Sequence, residues 1–193
     1  SKFLINKERI YFQKNLNKIL EDEVNKNITS LKKTTSRTNH FIPEEVHSID
    51  LLLHEIRLIK TKEEIKTIKE ACEISSAAHI RAMKNVCPKM YEYQLEAEYV
   101  HEFMKKGARN CAYPSIVGGG KNACILHYSD NKDLLMDGDL VLVDAGCEFN
   151  GYASDITRTF PVNGKFSRAQ QAVYEIVLDA NIECIKTVKK GLT

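Results

Sequence analysis

Apolar positions recur at helical spacing over much of residues 61–107 and again towards the end of the chain. Thr61 followed by Glu64 reads as a capping box, in which hydroxyl and carboxylate satisfy the free N–H groups of a helix start. Ile65, Ile68, Cys72, Ser75, His79 and Ala82 then repeat on one helical face, and Pro88 ends the segment. A second helix is expected from about Glu92, with Leu95, Tyr99 and Phe103 on one face. Lys105-Lys106-Gly107 gives it a basic last turn and a left-handed stop. A further helix, capped by Ser167 and Gln170, carries Val173, Val177, Ala180 and Cys184 and closes at Gly191.

Between these helices the period changes. Tyr113, Ile116 and Val117 precede Gly118-Gly119-Gly120, and an apolar run resumes over 123–126, which predicts strands on either side of a flexible connection. Gly120-Lys121 is not a phosphate loop, because the first glycine is missing and Asn122 stands where Ser or Thr is needed. Residues 139–147 are the most strand-like in the chain, and Asn150-Gly151 is a strong hairpin signal leading into a return strand over 152–161. Asn163-Gly164 makes another turn.

Before residue 56 the pattern is weaker. A strand-like start (Phe3, Leu4, Ile5) leads to a charged helix over about 8–25, a polar loop over 34–39, Pro43 and Leu51-Leu52-Leu53. The block is too short and too poor in apolar residues for an independent domain, and reads as the tail of something larger.

Composition changes the picture only by exclusion. The 193 residues, 43% hydrophobic and 28% charged, suit a soluble globular protein. A net charge of +2, from 28 basic against 26 acidic residues, gives no reason to expect nucleic acid or an anionic membrane as partner. The lysines of the first 40 residues are interleaved with Glu21, Asp22 and Glu23, as on a solvated helix face. No apolar run approaches the roughly 20 residues of a membrane-spanning helix, and no secretory pattern follows Ser1. Six cysteines without a C-x2-4-C pair argue against structural zinc; they read as buried free thiols of a cytoplasmic protein.

The candidate chemistry lies in the hairpin. With Asn150-Gly151 as a two-residue loop, Phe149 pairs with Tyr152, Gly146 with Asp155 and Asp144 with Thr157. Alternation then puts Asp144, Gly146, Asp155 and Thr157 on one face. The two carboxylates become diagonal neighbours about 7–8 Å apart at the backbone, with Gly146 leaving space between them. Ionised carboxylates in a strand fit for a sheet interior need compensation. Arg158 alternates to the other face, so the choice lies between a bound metal and an aspartate pair held by hydroxyls and backbone N–H groups. His127, after the apolar run, is a candidate site residue or an ordinary strand-end histidine. His40, His47, His54, His79 and His101 show no ligand spacing, and His79 and His101 fall on expected helices.

The segments Ile125-Leu126-His127-Tyr128, Gly138-Asp139-Leu140-Val141-Leu142-Val143-Asp144-Ala145-Gly146-Cys147 and Gly151-Tyr152-Ala153-Ser154-Asp155-Ile156-Thr157-Arg158-Thr159-Phe160-Pro161-Val162 closely resemble bacterial aminopeptidase P. This is the Xaa-Pro aminopeptidase branch of the M24 metallopeptidases. Arg57-Leu58-Ile59-Lys60 with Glu63-Glu64-Ile65 resembles the opening of that family's catalytic domain. The resemblance implies an α/β (α+β) "pita-bread" fold, whose two related halves enclose a dinuclear metal site, usually manganese. Zinc and cobalt are possible occupants. By the resemblance, Asp144 binds one metal, Asp155 bridges both, and His127 contacts substrate and assists the reaction. The family's remaining ligands, one His and two Glu, lie downstream of residue 193.

The expectation is therefore a fragment lacking both ends. Residues 1–55 are the remnant of an N-terminal domain, and 56–193 are the first half of the catalytic domain, inactive alone. The implied activity is removal of the first residue from peptides with proline in second position, by a water activated between two divalent ions. The expected partners are that peptide and further copies of the same chain, with no nucleic acid and no membrane. A prolidase acting on dipeptides, or a non-catalytic pita-bread module binding peptides or proteins, are the rival readings.

Overall fold

The computed structural model describes residues 2–13, 16–35 and 40–192, so most of the loop expected at 34–39 lies outside the described residues. The chain divides into two compact units, Ser1–Thr61 and Lys62–Thr193.

In the first unit, strand β1 (Arg9–Phe12) precedes helix α1 (Lys18–Thr35), and strand β2 (Glu45–Ser48) precedes helix α2 (Asp50–Leu58). β1 and β2 run parallel, with Arg9 opposite Glu45 and Phe12 opposite Ser48. This corrects the sequence reading. The strand-like start is a 3-10 turn over Lys2–Leu4, and the charged helix expected at 8–25 begins only at Lys18. The side chain of Asn17 caps that helix by accepting from the Leu20 N–H at 3.1 Å. Residues 9–12 are claimed instead by a strand partner some 36 positions away, which local charge patterning does not register. Ile28 and Leu31 of α1 are buried.

The second unit carries helices α3 (Lys62–Asn85) and α4 (Glu92–Lys105), then strands β3 (Asn110–Cys111), β4 (Ile116–Gly119), β5 (Leu140–Ala145), β6 (Cys147–Phe149), β7 (Tyr152–Ala153) and β8 (Ile156–Pro161), and helix α5 (Arg168–Thr187). The strands make two antiparallel sheets, ordered β4-β5-β8 and β3-β6-β7. This is the mixed α/β architecture the sequence implied. Alternation along β5 sends Val141, Val143 and Ala145 into the core and leaves Leu140, Leu142 and Asp144 half-buried on the other face. The core packs Ala71, Ile74, Ala78 and Ala82 of α3 and Leu95, Tyr99 and Phe103 of α4 with those β5 residues. Small residues along α3 permit the close approach. The expected α4 face is thus the observed one, whereas the α3 face is rotated. Ser75, His79 and Ala82 are buried as expected, but Ile65 is exposed because Ala71, Ile74 and Ala78 take the inward positions.

Other expectations need correction. The run 123–126 is not a strand: a 3-10 turn spans Gly120–Cys124, and Ile125 and Leu126 are exposed. Nor is the glycine triplet a flexible joint. A Cβ on Gly119 would meet Leu135 at 2.5 Å, so the glycine is there to let the backbone approach its neighbour. Of the cysteines, Cys147 is buried, while Cys87, Cys124 and Cys184 are exposed. Ser167 caps α5 as expected, accepting from the Gln170 N–H, but the helix ends at Thr187 and buries none of its residues. Among the described residues no helix is long and apolar enough to cross a membrane.

Candidate metal centre

The hairpin places the acidic pair. Asn150 and Gly151 both adopt positive φ, at 50° and 83°, the turn geometry that matches the twist of flanking strands. The register follows: Phe149 lies opposite Tyr152, and beyond the junction Ala145 lies opposite Ile156 and Asp144 opposite Thr157. The ladder breaks at Gly146 and at Ser154-Asp155, where the chain passes from one sheet to the other and back. Gly146 does not leave open space, as the sequence had suggested. A Cβ there would stand 1.8 Å from the Ser154 carbonyl oxygen, so the backbone of the return strand fills that volume.

The junction is tied down from the α3 side. The Cys147 N–H meets the Ser75 hydroxyl at 3.1 Å and that of Ser154 at 3.0 Å, and the two hydroxyls bond each other at 2.7 Å. Buried His79 faces the Ile156 carbonyl with Nε2 at 2.9 Å and the Tyr99 hydroxyl with Nδ1 at 2.9 Å. Burial lowers the His79 pKa, which keeps the ring neutral, with Nε2–H donating to the carbonyl and the phenol donating to Nδ1. The segment on either side of Asp155 is therefore fixed by α3 and α4.

Asp144 and Asp155 converge on one hydroxyl. Tyr113 donates to Asp144 Oδ1 at 2.5 Å and lies 3.1 Å from Asp155 Oδ1. Burial first, then the hydrogen bonds and charges of the two aspartates, raise the Tyr113 phenol well above its ordinary value, so it stays protonated and a donor. One hydroxyl hydrogen serves two carboxylates, which leaves the pair short of positive charge. Arg158 does not supply it. Its guanidinium donates to the Thr157 carbonyl at 2.8 Å, and no ion pair among the described residues involves either aspartate.

The pair opens on a cleft of about 400 Å³ whose walls include His127 and Ser129 as well as Tyr113. Asp144, Asp155 and His127 thus share one cleft, though the aspartates are less buried than a sheet interior would make them. Asp144 is half-buried, and Asp155 and His127 are exposed. Thr157, directly across from Asp144, borders a separate groove of about 660 Å³ against α5. Tyr113 was missed in the sequence. Its local signal is the following Pro114, which favours an extended backbone and does not mark a site residue.

An all-oxygen donor set of two converging carboxylates suits a hard divalent cation. Among the described residues no group of three or more His, Cys, Asp or Glu side chains is placed to hold a metal. The fit is that of part of a coordination sphere.

Comparison with known proteins bears on that reading. The model of the family "Metallopeptidase family M24" matches residues 66–193. The Xaa-Pro aminopeptidase of Escherichia coli (strain K12) is 49% identical over 168 residues, covering 87% of this chain and 38% of that protein. That of Haemophilus influenzae is 52% identical over 140 residues, covering 72% and 33%. The structure of proline aminopeptidase P II from Yersinia pestis superposes with a TM-score of 0.93 at 47% identity, covering 97% of this chain and 43% of that one. Zn-substituted E. coli aminopeptidase P in complex with product gives 0.93 at 44% identity, covering 97% and 42%. The chain therefore spans well under half the length of the proteins it matches.

Proposed function

The chain belongs to metallopeptidase family M24, and on that premise we propose that it contributes Asp144, Asp155 and His127 to a divalent-metal centre. In this reading the centre removes the first residue from peptides whose second residue is proline. The observation that carries the proposal is the sharing of the single Tyr113 hydroxyl by both aspartates in the cleft that also holds His127. The similarity to proteins named as Xaa-Pro aminopeptidases supports the substrate class, and favours it over a dipeptidase or a non-catalytic binding module.

Asp144 and Asp155 would hold the metal through their carboxylates. When bound, the metal activates a coordinated water and polarises the scissile carbonyl. Tyr113 holds Oδ1 of both aspartates and keeps the two side chains turned towards the cleft. His127, on the cleft wall, is placed to hydrogen-bond a peptide and to hold a proton on its ring. Manganese is the occupant we favour, because carboxylate oxygens suit it, with zinc and cobalt as alternatives.

The same reading makes residues 1–55 the end of a preceding domain and 56–193 the first part of the catalytic one. A two-part division supports this, although the chain divides between Thr61 and Lys62, after α2 has ended. Exposed thiols at Cys87, Cys124 and Cys184 support a reducing, cytoplasmic setting. Assembly from several copies is part of the proposal.

The test uses the full-length protein and an X-Pro peptide. Release of the first residue should stop with a chelator and return with Mn2+. Release that ignores the chelator and survives Asp155→Asn would overturn the reading. Sedimentation of the same protein measures the number of copies.

A further inference from the structure

His127 occupies an awkward stretch of chain. Its φ is +56°, in the left-handed region that residues with a Cβ seldom adopt. Burial does not hold it there, since Ile125 is 53% and Leu126 84% exposed. Its ring makes no hydrogen bond among the described residues. Within the segment the backbone makes turn bonds, from Ile125 N–H to the Asn122 carbonyl at 3.0 Å and from Tyr128 N–H to the Ile125 carbonyl at 3.3 Å, and the Asn122 amide donates across it to the Tyr128 hydroxyl at 3.1 Å.

What does reach the segment is Glu92, the first residue of α4, whose side chain is wholly buried. Oε1 accepts from the Gly119 N–H at 2.8 Å and from Asn122 Nδ2 at 3.0 Å. Oε2 accepts from the Tyr128 hydroxyl at 2.7 Å and from the Asp133 N–H at 3.0 Å. Gly119 and Asn122 precede His127; Tyr128 and Asp133 follow it. None of the ion pairs among the described residues includes Glu92. Every contact is a donor aimed at an acceptor, so a carboxylate completes the ring of donors where an amide would bring one donor too many. The Tyr128 phenol, pushed up to about 12 by burial and by Glu92, remains one of those donors.

We propose that Glu92 is the positioning residue for His127: one buried carboxylate clamps the chain on both sides of it and so sets where the imidazole stands in the cleft. Glu92 lies outside the cleft lining and touches neither aspartate. Its effect on peptide hydrolysis rests on the function proposed above, whereas its effect on the loop does not.

The experiment compares full-length wild type, Glu92→Gln, His127→Ala and the double variant by amide hydrogen exchange, by His127 ring NMR on the diamagnetic zinc-loaded protein, and by X-Pro peptide hydrolysis with Mn2+. In Glu92→Gln, amides of residues 119–133 should exchange at least about tenfold faster while α3 amides keep their protection, and the His127 ring signals should shift or split. Hydrolysis should fall by about tenfold or more with His127 present, and by less than about twofold in the His127→Ala background. Equal losses in both backgrounds, or faster exchange spread evenly over the protein, would reduce Glu92 to a general stabiliser and overturn the proposal. If wild type releases no first residue, the aminopeptidase reading fails. Exchange and ring signals then decide the positioning, and an unchanged loop in Glu92→Gln refutes it. Should Glu92→Gln not fold, Tyr128→Phe removes a single donor and takes its place in the cycle, with a smaller loss in the same direction.

Discussion

Glu92 and the Asp144/Asp155 pair are carboxylates of one domain in opposite conditions. Glu92 is wholly buried and receives four hydrogen bonds from the chain itself. The aspartates are half-buried and exposed, and among the described residues receive between them one phenolic hydroxyl. The deeper charge is the satisfied one, and the shallower charges are left in deficit. Burial alone therefore does not mark a functional carboxylate here; the count of donors does. A carboxylate whose donors are complete positions the chain around it, while a pair short of positive charge can take up a cation.

The sharpest way to break the contrast is Asp155→Asn. It should cost at least about a thousandfold in metal-dependent hydrolysis, equivalent to about 4 kcal/mol, because a lost ligand removes most of what the ion supplies. Metal binding by calorimetry should fall with it, while the melting temperature of the metal-free protein should hold or rise as one of two neighbouring charges disappears. A large fall in that melting temperature would place Asp155 with Glu92 as a structural group.

Glu92→Gln should do the reverse, opening residues 119–133 to hydrogen exchange by about tenfold while metal affinity and the denaturation midpoint stay near wild type. Tyr113→Phe comes next. Removing the shared hydroxyl should change metal affinity by about tenfold with little change in fold stability. If metal affinity does not move, Tyr113 is a lid over the pair rather than part of it.

The smallest effect concerns His79, a ring that burial keeps neutral. Burial depresses its folded-state pKa below that of an ordinary histidine, so the unfolded chain binds a proton that the folded one refuses. Stability should fall as pH drops below about 6.5, and His79→Phe should flatten that part of a denaturation-against-pH curve. An unchanged slope in the variant would show that other groups carry the acid sensitivity.

The hairpin was the most legible part of the molecule. Asn150-Gly151 imposes its own turn, and counting outward from it places Asp144 opposite Thr157 without further information. The α4 face with Leu95, Tyr99 and Phe103 and the Ser167 cap of α5 were readable for the same reason, since each is decided within a few residues. What failed to show depends on partners distant in sequence. Residues 9–12 became a strand because β2 lies alongside, and the apolar run at 123–126 became an exposed turn in a loop fastened to Glu92 from outside. Tyr113 gained its place in the cleft only because the loop before β4 brings it across two strands that follow much later.

Gly146 has a consequence for how this region can vary. The β6–β7 arm leaves the sheet after Ala145 and rejoins it at Ile156, so its root lies between the two aspartates while its tip, at Asn150-Gly151, is exposed. Residues inserted at the tip lengthen the arm and leave its root where it was. A single residue inserted at the root would shift one aspartate against the other, and even a methyl group on Gly146 has no room beside Ser154. The arm is thus a tolerant site for a fluorophore or an affinity tag at its tip and an intolerant one at its base.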